Sequence, residues 1–284
     1  MKKIIVFSNF LKIFFKELIE EIKKDDLLSV ANDMTYKIFF SIFPFVIFLI
    51  SIVGFLELDE SYLLEQFYSF LPDTIHATIQ TVTAEIITKK NPNILSFSLI
   101  ISMWSASWGF GTAMRCINKA YGQGDTRNII KKILINVASV IVFSAIIILS
   151  FVMLIFGDNI MAFLYANFNI GETVMPLFSS FRYIGAVILM FLAVIVINKV
   201  SISKRVTWKS LMPGTVLTVA LWIAVSKLFN IYVRNFTKYS TVYGSLAGII
   251  VFLLWLNILC IVLLLGSEVN AVNSKISLKK YHGI

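Results

Sequence analysis

Histidine and cysteine are almost missing from this sequence. His76, His282, Cys116 and Cys260 are all that occur. No HxxxH or HExxH spacing exists, which excludes the helix-borne zinc sites such pairs build. The cysteines stand far apart without a CxxC spacing, so neither a metal nor a disulfide is indicated; each reads as a small apolar packing residue. Charge is scarce as well. Only 14% of the 284 residues are Asp, Glu, Lys or Arg, against about 25% in a soluble domain. No Gly-rich loop follows a strand pattern to cradle phosphate, and no Ser–His spacing suggests a nucleophilic pair. A nuclease would usually need metal-binding carboxylates, and the segments read as cytoplasmic carry few acidic residues outside the N-terminal one. No cofactor is implied, and a soluble globular class is excluded.

What is abundant is apolar sequence. Hydrophobic residues make up 58% of the chain and the mean hydropathy is +0.85. Residues 133–156 form an uncharged run of 24. At ~1.5 Å per residue such a helix crosses a ~30 Å hydrocarbon core. Six runs of this kind predict six transmembrane helices, at about 34–55, 94–114, 133–156, 176–198, 210–232 and 244–270. The expected fold is an all-α integral membrane protein forming a single membrane domain over 1–284. No internal repeat, inverted or direct, has matching motifs in the two halves.

The first 33 residues resemble a signal peptide only at a glance, because Lys12 and Lys16 interrupt them and no small-residue cleavage site follows. Phe7, Phe10, Leu11, Phe14, Phe15, Leu18 and Ile22 recur at three- and four-residue steps. That spacing predicts an amphipathic helix lying in the inner membrane interface. Between the first two spans, residues 56–93 carry Glu57, Asp59, Glu60, Glu65, Asp73 and Glu85. Their pattern predicts one or two short helices at the outer face, with Asp73 as an N-cap after Pro72.

Net charge is +9. In a membrane protein this first reports topology. Eighteen lysines and arginines fall in the N-terminal segment, the second and fourth connections and the C-terminal tail. Four fall on the opposite side: Lys89, Lys90, Arg234 and Lys238. The bias places both termini in the cytoplasm. It also removes the need for nucleic acid as the partner of the basic residues.

Ionisable residues inside spans are costly, so each is a candidate for function. Arg182 on the fourth span and Lys227 on the fifth fall in the outer half. With Asn257 on the sixth they make a candidate site for an anionic group such as a phospholipid head; snorkelling or pairing with Asp158 or Glu172 is the structural alternative. Glu268, near the inner end of the sixth span, is a candidate partner for Lys37 or Arg115, as a salt bridge or as a gate, with a proton or ion relay as the alternative. Lys37 follows Asp33 by four residues and shares its helix face. Pro44 should kink the first span. Ser105, Gly109 and Ala113 form a small-residue stripe, and Gly244 with Gly248 a GxxxG pair, both suited to close helix packing. Trp104 and Trp108 read as packing or interface residues.

Four segments together resemble the YihY/BrkB family of bacterial inner-membrane proteins, historically labelled ribonuclease BN: "YKIFFSIFPFVIFLISI", "WSASWGFGTAMRCINKAYG", "LMPGTVLTVALW" and "TVYGSLAGIIVFLLWLNILCIVLLLGSEVNAV". They stand in family order and cover nearly the whole chain. The first carries Lys37, with Asp33 just before it, where the family version is richer in alanine. The resemblance implies a six-helix plasma-membrane protein with no established biochemical activity and leans toward envelope or lipid-linked transport. The leading expectation is a transporter or lipid-handling protein, not an enzyme, with membrane lipids and an anionic amphiphile as partners and no nucleic acid. A membrane scaffold is the alternative, ribonuclease the least favoured. The oligomeric state stays open.

Overall fold

The computed structural model describes residues 2–55, 92–122, 124, 127–146, 149, 175–203, 206–235 and 245–282. All regular structure among them is helical. The helices are α1 (Lys2–Lys24), α2 (Leu27–Phe55), α3 (Pro92–Ala120), α4 (Ile129–Ile146), α5 (Met175–Ser201), α6 (Trp208–Asn235) and α7 (Ser245–His282). The short helices expected in the first external loop lie outside the described residues.

Among the described residues, five stretches are long and apolar enough to cross a membrane: Pro92–Ala120, Ile129–Ile146, Ile184–Ser201, Trp208–Tyr232 and Gly248–Ile276. Large apolar side chains on them face outward. On α3, Phe97, Ile100, Trp104 and Trp108 are exposed at helical spacing, and the two indole rings meet at 4.6 Å. On α4, Ile129, Ile130, Ile133, Leu134, Ile141 and Val142 are exposed. In water such faces would aggregate; in lipid they are the expected exterior.

Several helices outrun their expected bounds. α3 continues through Arg115 to Ala120, so the basic end of "WSASWGFGTAMRCINKAYG" is helix and not the start of a loop. Ala113, Met114, Cys116, Ile117 and Asn118 are all buried there, while Arg115 and Lys119 are exposed. α7 runs on to His282, because nothing after Asn270 breaks a helix. Asp26 ends α1 with a positive φ of 50°, a conformation Asp tolerates better than most residues. α2 restarts at Leu27 and runs through Pro44 to Phe55.

The chain divides into two compact units. The first comprises Met1–Leu27, Ala113–Trp222 and Val262–Ile284; the second comprises Leu28–Thr112 and Ile223–Ile261. In the first unit, the α1 stripe packs on α7: Leu18 joins Val269 and Val272, with Phe14, Ile22, Leu217 and Ile276 around them. Ile13, Phe15 and Ile19 of α1 stay exposed. Part of the stripe expected to meet lipid therefore meets protein. α6 and α7 approach closely at Gly214 and Gly266, where a Cβ on Gly214 would fall 1.9 Å from the Gly266 carbonyl oxygen. Only glycine permits that approach. In the second unit, Gly109 of α3 lies against Ile38 of α2, and Phe39 of α2 meets Phe252 of α7 at 6.3 Å.

Candidate functional site

Polar side chains in apolar helices must find partners or a purpose. In the second unit they find partners. Lys37 donates to Asp33 Oδ2 at 2.6 Å, one turn back on α2, and to Thr112 Oγ1 of α3 at 2.9 Å. Asn257 of α7 donates to Asn32 Oδ1 at 2.8 Å and to Thr35 Oγ1 at 3.2 Å. Lys227 of α6 is exposed, as are Leu228 and Ile231 beside it. Gly248 is half-buried on α7. Gly244 and the Arg182 side chain lie outside the described residues.

In the first unit the carbonyl end of α5 is held by two residues from α3 and the connection after it. Asn118, buried, donates to the Ser201 carbonyl at 2.6 Å and accepts from the Ser203 N–H at 2.9 Å. Arg127 Nη2 reaches the carbonyls of Val200, Ser201 and Ile202 at 2.9, 3.3 and 2.9 Å. A cation at a helix C-terminus also meets the favourable end of the helix dipole. Ser267 of α7 donates to Asn198 of α5 at 2.7 Å.

The first unit also holds a charged cluster. Lys275 of α7 reaches Glu21 at 2.8 Å and Glu17 at 3.4 Å on α1. Lys24 reaches Glu21 at 2.8 Å. The hydrogen bond from Lys24, then that from Lys275, holds the Glu21 carboxyl below its ordinary range. The same bond raises the Lys24 ammonium. Lys119 approaches Asp25 Oδ1 at 3.5 Å. Glu268 is fully buried, and neither of its carboxyl oxygens has a hydrogen-bond partner among the described residues. Arg115, the sequence-level partner considered for it, is exposed; Lys37 belongs to the other unit. The charged groups acting on Glu268 in the first unit are Asp25, Glu21 and Lys24. Tyr121 borders the cluster: burial, and after it the charge of Glu268, pushes its phenol above the ordinary value. Among the described residues no three His, Cys, Asp or Glu side chains gather as a metal site.

The model of the virulence factor BrkB family matches residues 18–281. The chain belongs to that family. It is 27% identical over 262 residues to a ribonuclease-like protein, YfkH, of Bacillus subtilis (strain 168), covering 92% of this chain and 95% of that one. A UPF0761 membrane protein of Acinetobacter baylyi is 24% identical over 266 residues, 90% of this chain and 61% of its own. A UPF0761 membrane protein of Pseudoalteromonas translucida is 33% identical over 69 residues, 24% of this chain and 23% of its own. No solved structure matches. This BrkB-family chain is thus a multi-pass membrane protein.

Sequence reasoning found Glu268 but missed what surrounds it in this family member. Asp25 sits in the run "KKDD", which reads as a solvated charge cluster, yet its side chain is completely buried. Tyr121 and Asn118 follow the expected end of the second span and read as loop residues. The available signal was helical: Ala113, Cys116, Ile117 and Ala120 continue the α3 apolar spacing past Arg115. Gly266 also escaped notice, since its partner Gly214 is distant in sequence and not four residues away.

Proposed function

We propose that this protein is a plasma-membrane carrier or lipid-handling protein for an anionic amphiphile. The observation that carries the reading is Lys227, an exposed cation among the exposed apolar residues Leu228 and Ile231 on a membrane-spanning helix. A cation on a lipid-facing surface suits a phosphate-bearing head group that arrives sideways from the bilayer. Arg182, the other basic residue expected in the outer half, is tested beside it, while Asn257 is engaged by Asn32 and Thr35. Six crossings follow if α2 joins the five candidate spans. The lysine and arginine bias then puts both termini in the cytoplasm, with the exposed Ile13, Phe15 and Ile19 of α1 in the inner interface. No catalytic role enters this reading; UPF0761 relatives are described simply as membrane proteins.

The test is reconstitution into vesicles holding a fluorescent anionic phospholipid in one leaflet, with its movement to the other followed by quenching. Arg182→Ala and Lys227→Ala are expected to slow movement about tenfold each, the equivalent of about 1.4 kcal/mol per contact. Wild-type rates in both variants would remove the site. No movement above protein-free vesicles would favour the scaffold reading instead.

A further inference from the structure

Three helices bring ionisable groups to one place in the first unit. The end of α1 brings Asp25, the end of α3 brings Cys116, Lys119 and Tyr121, and α7 brings Glu268. The side chains of Asp25 and Glu268 are both inaccessible to water. Among the described residues, neither carboxyl and not the Tyr121 hydroxyl has a hydrogen-bond partner. Glu268 meets the Asp25 side chain directly. The neighbouring ammonium groups are committed: Lys275 to Glu17 and Glu21, Lys24 to Glu21, and Lys119 to Asp25.

We propose that Asp25 and Glu268 form a proton-binding site, in which one exchangeable proton bridges the two carboxyls. Two ionised carboxylates facing one another out of water repel, with nothing between them. A proton on one oxygen turns that carboxyl into a donor toward the other, so two orphaned oxygens are satisfied at once. The remaining single charge is balanced by Lys119, 3.5 Å from Asp25. The Tyr121 phenol, which burial keeps protonated, lies in the field of Glu268 but donates to neither carboxyl. Loss of the bridging proton leaves a buried anion without a counter-charge. The relief is separation of Asp25 from Glu268, which loosens the end of α1 from α7. Paired carboxyls on facing helices are the chemistry of proton relays in membrane carriers. Use of this proton to drive transport rests on the carrier reading; the binding site itself does not.

Infrared difference spectroscopy on the full chain in lipid nanodiscs tests it, stepping from mildly acidic to alkaline pH in water and in heavy water. The expected result is the carbonyl stretch of a buried protonated carboxyl at neutral pH, shifted in heavy water and absent at alkaline pH. It should vanish in Glu268→Gln and move in frequency in Asp25→Asn. The second variant serves alone if the first does not fold. No such band in the wild type overturns the proposal, as does a band unchanged by either substitution. A band that responds to sodium concentration instead of pH also overturns it and assigns the site to a metal cation. Vesicles that move no lipid, with the band intact, would sink the carrier reading and leave the proton site standing.

Discussion

The backbone N–H of Gly214 donates to Oδ1 of Asn270 at 2.7 Å, across a crossing of α6 and α7 too close for any side chain. Pro213, one residue earlier, has no N–H and interrupts the helical ladder at this point. Thr218 bonds back to the Gly214 carbonyl at 2.8 Å, and a Cβ on Gly266 would fall 1.9 Å from its hydroxyl oxygen. Here a small-residue contact and a buried amide hold two membrane helices together. That is how such helices associate when the surrounding lipid is as apolar as their side chains.

Adding one methyl group at this crossing should therefore be severe. For Gly214→Ala the obstacle is a backbone oxygen, which cannot rotate away. The expected loss is about 3 kcal/mol, at the upper end of overpacking costs. Gly124→Ala, where nothing lies within 4 Å, should change stability little. Thermal unfolding in detergent compares the two, and similar midpoints for both variants would contradict the packing described.

The α5 clamp predicts a non-additive pair. Asn118 and Arg127 both hold the Ser201 carbonyl. Either alone keeps it satisfied; without both it is a buried acceptor with no donor. Asn118→Ala and Arg127→Ala should each cost about 1–3 kcal/mol. The double variant should exceed their sum by about 1 kcal/mol. A strictly additive cycle, measured by denaturant unfolding, would mean the shared carbonyl finds water instead.

Acid should release α1. The Glu21 carboxyl is held below its ordinary value in the folded protein by Lys24 and then Lys275. A depressed carboxyl contributes stability that is present above its unfolded value and lost as pH falls through the folded one. Stability should thus decline on acidification through and below the ordinary carboxylate range. In Glu21→Gln that limb should be flatter, and the two proteins should converge at the acid end. The raised Lys24 ammonium has the opposite sign: its contribution is present below its unfolded value and lost as pH rises through the folded one. Lys24 is largely exposed, so solvent screens that contribution. Thermal midpoints across the acid range, at constant ionic strength, read the effect.

How far the sequence carried these conclusions differs from residue to residue. Long uncharged runs such as the 24 residues of 133–156 announce membrane helices from sequence, because length and apolarity alone meet the requirement. The link between Asp33 and Lys37 was equally legible, since four residues is one helical turn. Asp25 was not, because a charge in "KKDD" looks solvated until another helix covers it. The surroundings of Glu268 were hidden for the same reason: Tyr121 and Asp25 are separated from it by more than half the chain, and periodicity reports faces within a helix, not which helices meet. Helix ends were misjudged where apolar spacing continued beneath charges, as at Arg115 and Lys119.

The Lys37 pair makes a last, asymmetric prediction. Lys37 is the more buried partner, at 24% side-chain exposure against 46% for Asp33. Its ammonium is shared between Asp33 and Thr112. Lys37→Met leaves Asp33 free to hydrate, and the lost contact is screened, so the cost should be about 1 kcal/mol or less. Asp33→Ala leaves the less accessible cation with only the Thr112 hydroxyl, and the expected cost is larger, about 1–3 kcal/mol. The double variant should resemble Lys37→Met alone, since with the cation gone nothing remains to be stranded. Unfolding midpoints of the three variants in one detergent decide it. Equal costs for the two single substitutions would show that the Lys37 ammonium reaches water as readily as the Asp33 carboxylate.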